Sequence, residues 1–266
     1  MRHSRTIQLL LAGVLVWLLA AGAAFAAPKP VVLELFTSNS CSSCPPAYSL
    51  LRDLQAMPPS DDVQLIVLSQ HVTYWNDLGW VDRYSDKQFT NRQRHYAREV
   101  FGTGRVYTPQ LVVNGQYEMV GSRSGEVRSA ISKAAGKADL SVSLKVSHQD
   151  DRALNVGVTV DGDVEDTSQV WLALTQDNVV SEVGAGENGG RTLSENGVVR
   201  TLKPAGIVAA GSNDGGQRYN GQLTVPKGVA RDDIAVVAFV QRRDSRVIVG
   251  AASQSLSSTG QQYGSR

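Results

Sequence analysis

Residues 31–46 read Val31-Val32-Leu33-Glu34-Leu35-Phe36-Thr37-Ser38-Asn39-Ser40-Cys41-Ser42-Ser43-Cys44-Pro45-Pro46. The first six form a short apolar run, the pattern of a strand buried on both faces. Small polar residues, two cysteines and two prolines then break the run. Beyond them Tyr48, Leu50, Leu51 and Leu54 fall at helical spacing. The stretch is therefore strand, turn and helix, with a CxxC pair at the turn.

A thiolate placed before a helix faces unpaired backbone N–H groups and the positive end of the dipole, which lower its pKa. Three-residue spacing lets a second thiol attack a mixed disulfide formed by the first, the two steps of thiol–disulfide exchange. In that reading Cys41 attacks and Cys44 resolves. Three other readings stay open. A structural disulfide would close so small a loop that it removes little unfolded-state entropy. A metal site would need further ligands, with His71 or His95 as candidates. An inert buried pair fits poorly with flanking Ser and Pro. Because Pro45 biases Cys44 away from helical geometry, the helix is expected to begin near Pro46, with Cys44 at or before its cap.

Outward from this stretch the pattern alternates as far as about Lys137. Val63 to Leu68 is a second buried strand, and Ser85 to Val100 is polar, Arg-rich and helical. Gln110 to Val113 and Gln116 to Val120 flank Asn114-Gly115, a hairpin signal. Ser124 to Ala135 closes the half as a helix. The order is β-α-β-α-β-β-α. After Gly136 the pattern changes to strict alternation, beginning with Leu140 to Ser147. Further strands are expected near 152–160, 169–175, 197–203, 217–225, 233–241 and 246–256. Short strands with turns between them predict a β-sandwich.

Composition narrows the function. The chain has 266 residues, 42% hydrophobic and 19% charged, with 26 Lys+Arg against 25 Asp+Glu. That suffices for a sizeable core. Near-zero net charge gives no electrostatic footprint for nucleic acid. Two cysteines exclude a disulfide scaffold. At the N-terminus Arg2, His3 and Arg5 precede an apolar run, Leu9 to Ala20, and then Ala24-Phe25-Ala26. Basic region, short apolar region and small-residue site predict a signal peptide over residues 1–26; an uncleaved anchor is the rival. The mature protein is then exported, most simply to the periplasm, with no later membrane span. No cofactor is expected. Residues 257–266 read as a disordered tail.

Other candidates follow from topology. Tyr107-Thr108-Pro109 precedes the strand at 110–113, at the sheet edge that also carries Cys41. A proline there can take the cis form and leave Thr108 backbone groups free for a passing peptide, or it simply initiates a strand. His71 ends the second strand at the same edge, as a thiolate stabiliser, a proton shuttle or a loop-bound histidine. Tyr74, Trp75 and Trp80 either form an apolar lip for a peptide-like partner or pack their own loop. The basic stretch 85–105 reads as a solvated helix face. Gly184 to Gly189 matches G-x-G-x-x-G, but strand-like sequence on both sides excludes a dinucleotide site; Glu187, Asn188 and Arg191 are instead candidates for a contact with the first half.

LELFTSNSCSSCPPA (33–47), HVTYWNDLGWVD (71–82), GRVYTPQLVVNGQYEMVG (104–121) and GENGGRTLSENGVVR (186–200) together resemble the DUF1223 family of secreted thioredoxin-like proteins. The resemblance spans about residues 31–255. It implies a thioredoxin-like fold with the CxxC at Cys41 and Cys44, a cis-proline candidate at Pro109, and a trailing β-rich region of unassigned role. The resulting expectation is an α/β thioredoxin-like domain over 29–137 followed by an all-β, sandwich-like domain over 138–256. Cys41 and Cys44 would carry exchange with protein or peptide thiols, fed by an electron-transfer partner of unknown identity. Thr108, Pro109, His71 and Trp75 would position the substrate. The rivals are a metal-binding or metal-delivery protein and a non-catalytic envelope adaptor.

Overall fold

A computed structural model describes residues 28–57, 63–137, 139–212 and 216–257. The predicted signal peptide and all but the first residue of the predicted tail lie outside these. None of the described helices is long and apolar enough to cross a membrane.

The deciding stretch folds as strand β1 (Lys29–Thr37), a turn, and helix α1 (Pro45–Ala56). The turn is closed by Cys41 N–H donating to the Ser38 carbonyl at 3.1 Å and Cys44 N–H to the Cys41 carbonyl at 3.2 Å. Helix α1 begins at Pro45, one residue earlier than expected, with Cys44 as its cap at φ −79° and ψ −37°. The bias of a pre-proline residue is overridden here because the Cys44 carbonyl accepts the Ala47 and Tyr48 amides. Strand β2 (Val63–His71) pairs in parallel with β1, and β3 (Gln110–Val113) pairs antiparallel on its other side. Helix α2 (Lys87–His95), continued by one π-helical turn at Tyr96–Val100, lies between them in sequence. The hairpin to β4 (Tyr117–Val120) and helix α3 (Ser124–Ala134) complete this half. Asn114 and Gly115 both take positive φ at the hairpin tip, which is why that dipeptide signals it.

Alternation on β1 divides the core. Val31, Leu33 and Leu35 join the cluster under α1 and α3, which includes both cysteines. Val32 and Phe36 face the other way, toward α2 and the π turn. Glu34 shares that second face, fully buried and paired with Arg92 of α2.

The second half supplies β5 (Ser141–His148), β6 (Ala153–Asp161), β7 (Ser168–Gln176), β8 (Val179–Glu182), β9 (Thr192–Glu195), β10 (Val198–Val208), β11 (Gln217–Thr224), β12 (Ile234–Arg242) and β13 (Ile248–Ser255). They do not build a sheet system of their own throughout. Four of them extend the first sheet, whose order is β13-β12-β7-β10-β2-β1-β3-β4. The protein is thus a mixed α/β protein with one large mixed sheet and a small antiparallel one, β11-β6-β5. The junction has a physical reason. The outer edge of β2 would otherwise expose unpaired backbone groups. Ser69 N–H donates to the Gly197 carbonyl at 2.7 Å, and Ser69 Oγ to the Asn196 carbonyl at 3.0 Å. Gly197 sits at φ +65°, where a Cβ would lie 2.6 Å from the Val67 carbonyl oxygen. Two layers do form further along: Leu172, Leu174, Val236 and Ala238 on the large sheet meet Leu154, Val156 and Val158 on the small one. The β8–β9 hairpin, which the sequence pattern did not mark as paired strands, folds back over α1, with Val183 and Leu193 in the same cluster as the cysteines.

Candidate functional site

Both cysteines are unbonded and buried, Cys41 with 1% of its surface exposed, and their sulfurs are 2.6 Å apart. The intervening Ser42 and Ser43 are exposed. Opposite stands the Thr108–Pro109 peptide bond, which is cis. The Thr108 carbonyl lies 3.8 Å from Cys41 Sγ and accepts from Ser43 Oγ at 3.4 Å. Trp75 Nε1–H donates to Thr108 Oγ1 at 2.9 Å, so the indole steadies that strand entry.

The two thiols are driven apart in acidity. The Cys44 thiol donates to Cys41 Sγ; that bond, helped by the Ser43 hydroxyl at 3.2 Å and opposed by burial, lowers Cys41 to about 6. Burial, then the bond to Cys41 and its charge, raise Cys44 far above the ordinary thiol range. One sulfur is thus poised as a thiolate at neutral pH and the other is held protonated beside it.

A loop from the second half is bolted onto this turn. Asn188 is fully buried and its Nδ2 donates to the Cys41 carbonyl at 2.7 Å and to the Asn39 carbonyl at 2.9 Å. Glu187 Oε2 accepts from both the Ser42 N–H at 2.9 Å and the Ser42 hydroxyl at 2.7 Å. Arg191 Nη1 donates to Asn188 Oδ1 at 2.7 Å and holds the asparagine in register. The glycine-rich segment 184–189 is therefore a clamp on the CxxC turn, with no helix after it to cradle a dinucleotide.

His71 is fully buried at the end of β2, in register with Thr37, and its ring is engaged by two carboxylates rather than by the thiols. Its Nδ1 is 2.7 Å from Asp82 Oδ2, and its Nε2 is 3.0 Å from Glu195 Oε2, too bent for a hydrogen bond but an ion contact. Burial alone would discharge the ring, but the charges of Asp82 and Glu195 outweigh it and raise the His71 pKa well above 6.5. Asp82 also accepts the Asn39 N–H at 2.8 Å. Tyr48, on α1, bridges toward the thiols: its hydroxyl is 2.7 Å from Thr37 Oγ1 and 3.3 Å from Asn39 Oδ1. Burial, then the charges of Glu195 and Cys44, push the Tyr48 hydroxyl well up. Neither carboxylate oxygen of Glu195 has a hydrogen-bond partner among the described residues.

The structure thus brings Cys41, Cys44, Thr108, Pro109 and Trp75 together, and gives His71 to Asp82 and Glu195 instead. Tyr74 donates its hydroxyl to Gln93 Oε1 at 3.1 Å, and Trp80 packs against Gly184. The exposed apolar side chains of that loop are Leu78 and Val81, at 52% and 67%. His95 lies away from the thiols, accepting from Arg246. Sequence reasoning did not single out Asp82, Glu195, Tyr48 or Asn39. Asn39, Asp82 and Glu195 fall inside quoted segments and Tyr48 just beyond one, but only the fold shows that Asp82 and Glu195 converge on His71.

A mixed α/β protein with a close CxxC pair, covered by a hairpin from its own second half, is the class these observations define. The chain belongs to the DUF1223 family, whose model matches residues 32–241 and describes a protein of unknown function. The crystal structure of protein AGR_C_4864 from Agrobacterium tumefaciens is similar, with a TM-score of 0.65 at 25% identity over 90% of this chain and 100% of that one. A domain of the outer membrane lipoprotein Omp28 from Porphyromonas gingivalis aligns less well, with a TM-score of 0.27 at 15% identity over 44% of this chain and 86% of that one. No curated protein matches the chain.

Proposed function

We propose that this is an exported, thioredoxin-like thiol–disulfide exchange protein acting on protein or peptide thiols. The observation that carries the reading is the asymmetric pair: Cys41 lowered to about 6 beside a Cys44 held protonated, facing the cis Thr108–Pro109 bond. The strand order β2-β1-β3-β4, with the CxxC between β1 and its following helix, supports the thioredoxin-like assignment.

In the reducing direction the Cys41 thiolate attacks one sulfur of a substrate disulfide. A Cys41–substrate disulfide forms and the other substrate sulfur leaves as a thiolate. Cys44, losing its proton, then attacks Cys41 Sγ, the mixed disulfide breaks, and the second substrate thiol is released. The substrate gains two electrons, the protein is left with a Cys41–Cys44 disulfide, and an external dithiol must reduce it again. The oxidising direction runs the same steps backward. Thr108 and Pro109 position the substrate backbone, Trp75 fixes Thr108, and His71 with its carboxylates tunes proton loss from Cys44 through the polar layer around Tyr48.

The decisive experiment equilibrates the protein in defined glutathione buffers and counts free thiols by alkylation and mass. The expected result is a reversible two-electron transition between about −270 and −120 mV, lost in Cys41→Ser. A disulfide that stays oxidised below about −300 mV would be structural and would overturn the reading.

A further inference from the structure

On the sheet face opposite the cysteines, α2, the π-helical turn, β7, β10 and the β12–β13 turn line a half-open cavity of about 200 Å³. Arg92, His95, Tyr96, Trp171, Leu202 and Arg246 line it, with Gln88 at its rim. An engineered apolar cavity of about 150 Å³ accepts benzene, so this one admits a slightly larger molecule.

Its charges do not balance. Arg92 Nε and Nη2 both bind Glu34, the latter at 2.9 Å from Oε1. Arg246 has no carboxylate in ion-pair range among the described residues; its Nε donates instead to His95 Nε2 at 2.7 Å. A histidine nitrogen that accepts from a guanidinium belongs to a neutral ring, whose remaining nitrogen then carries the proton. Burial and the charge of Arg246 lower the His95 pKa, in keeping with that state. Burial and the charge of Arg92 lower Arg246 as well. Among the groups that line the pocket, Arg92 is neutralised by Glu34 while Arg246 has no carboxylate in ion-pair range; Glu99 acts on His95 but is not part of the lining.

The spare hydrogen-bonding capacity is of one kind. The terminal nitrogens of Arg246 and the second ring nitrogen of His95 are donors. Trp171 Nε1–H is buried without a partner, a state that carries a desolvation cost until an acceptor arrives. Gln88 Nε2 is already engaged by the Leu202 carbonyl at 2.7 Å. The tyrosine, tryptophan and leucine surfaces make the remaining wall apolar. Arg92 is packed over the Trp171 ring at 5.3 Å, which keeps that wall rigid.

We propose that this cavity is a binding site for a small organic carboxylate, a monoanion with a compact apolar body, gripped by Arg246 and Trp171. Nothing in the exchange chemistry at the cysteines requires it, so the site stands or falls separately.

Benzoate is a suitable probe, titrated into the purified full chain by calorimetry and by the change in tryptophan fluorescence. One benzoate per chain is expected to bind. Benzyl alcohol, of similar shape but uncharged, should bind at least about tenfold more weakly, and Arg246→Gln should cost benzoate a similar factor. Trp171→Phe keeps a ring and removes the donor, so it should weaken benzoate several-fold and leave benzyl alcohol unaffected. That variant, with the wild-type comparison of the two probes, carries the test should Arg246→Gln fail to fold. No benzoate binding at millimolar concentration, or equal binding of benzyl alcohol, overturns the proposal. Inorganic phosphate binding more tightly than benzoate would also overturn it, in favour of a simple inorganic-anion site.

Discussion

Gln70 and His71 are neighbours on β2, and strand alternation sends them into two buried ionic clusters on opposite faces of the same sheet. On one face Glu34 is saturated: it accepts from Arg92 through two nitrogens, from Tyr96 Oη and from Gln70 Nε2 at 2.7 Å. Gln241 of β12 closes the ring, donating to Tyr96 Oη at 2.7 Å and accepting from Arg92 at 3.1 Å. On the other face His71 lies between Asp82 and Glu195, and Glu195 is left without a hydrogen bond on either oxygen. Both clusters recruit a residue from the second half of the chain, so both fasten the halves together. Only the His71 cluster is linked toward the thiols, through Tyr48, whose hydroxyl is acted on by the charges of both Glu195 and Cys44. A saturated cluster has its buried charge met by hydrogen bonds on every side, whereas Glu195 faces the His71 ring with no hydrogen bond on either oxygen and is held by charge alone. The difference separates a hydrogen-bonded fastener from one held by charge.

The largest expected effect tests the hydrogen-bonded fastener. Arg92→Leu strands a buried Glu34 carboxylate and should cost about 3–5 kcal/mol of stability, read as a fall in urea midpoint. Where the protein remains folded, the alkylation rate of Cys41 should be that of the wild type. A change in thiol reactivity as large as that in a His71 variant would erase the distinction between the two faces.

His71→Gln comes next. It removes the cation between two buried carboxylates and should cost about 3 kcal/mol near neutral pH. The sign of its pH dependence follows from the raised His71 pKa. The wild-type contribution is fully present below the unfolded value near 6.5 and is lost only as pH rises through the much higher folded value. In the variant Asp82 loses the imidazolium that helps hold its carboxyl below the usual range, and protonation relieves it, so the deficit should shrink as pH falls from about 7 to about 4. Urea midpoints over that range check it. A deficit independent of pH would mean that packing, not charge, holds the cluster. Unlike Arg92→Leu, this variant should also slow release from a Cys41 mixed disulfide.

Asn188→Ala opens the clamp. Two carbonyls, of Asn39 and Cys41, lose their donor, at a cost of about 1–3 kcal/mol. Because Cys41 is almost wholly buried, loosening the turn should raise its alkylation rate at fixed pH even as stability falls. An unchanged rate would show that the turn opens without help from the 183–191 loop.

The sequence was most legible where local rules act alone. The apolar run of β1, the helical spacing after the cysteines and the Asn114-Gly115 tip each appear in place, because strand burial, helical periodicity and positive φ leave direct marks on residue choice. The join between halves was not legible: β10 pairs with β2 through a single registered pair, Val198 with Ser69, too little to shape a pattern. The basic stretch 85–105 illustrates the same limit. Lys87, Arg94, Arg98 and Arg105 are exposed, as a solvated face requires, but Arg92 turns inward because Glu34 waits on a strand some sixty residues upstream. Glu34 itself looked like one polar residue in an apolar run. Of the site, the cysteines and the Thr108-Pro109 edge could be named from spacing and topology, whereas Asp82 and Glu195 carry no local signal of their meeting at His71.

The smallest effects concern the thiolate itself, and they sharpen the comparison most finely. The bond from Cys44 is the largest cause of the low Cys41 pKa, so Cys44→Ala should move the midpoint of Cys41 alkylation from about 6 toward the ordinary thiol value of 9.0. The reduced wild type should also gain stability over Cys41→Ser as pH rises from about 6 to 9.0, since a depressed pKa contributes only where the thiolate forms. Glu187→Gln is the mildest change. Glu187 is exposed, its carboxyl is held below the usual range by the two Ser42 bonds, and a glutamine oxygen can keep both of them. What the substitution removes is a solvent-screened negative charge beside the turn, so the Cys41 midpoint should fall by only a few tenths of a pH unit at low salt and not at all in about 1 M salt, where the Debye length is about 3 Å. A larger or salt-independent shift would show that Glu187 acts on the thiolate through the geometry of the turn rather than through its charge.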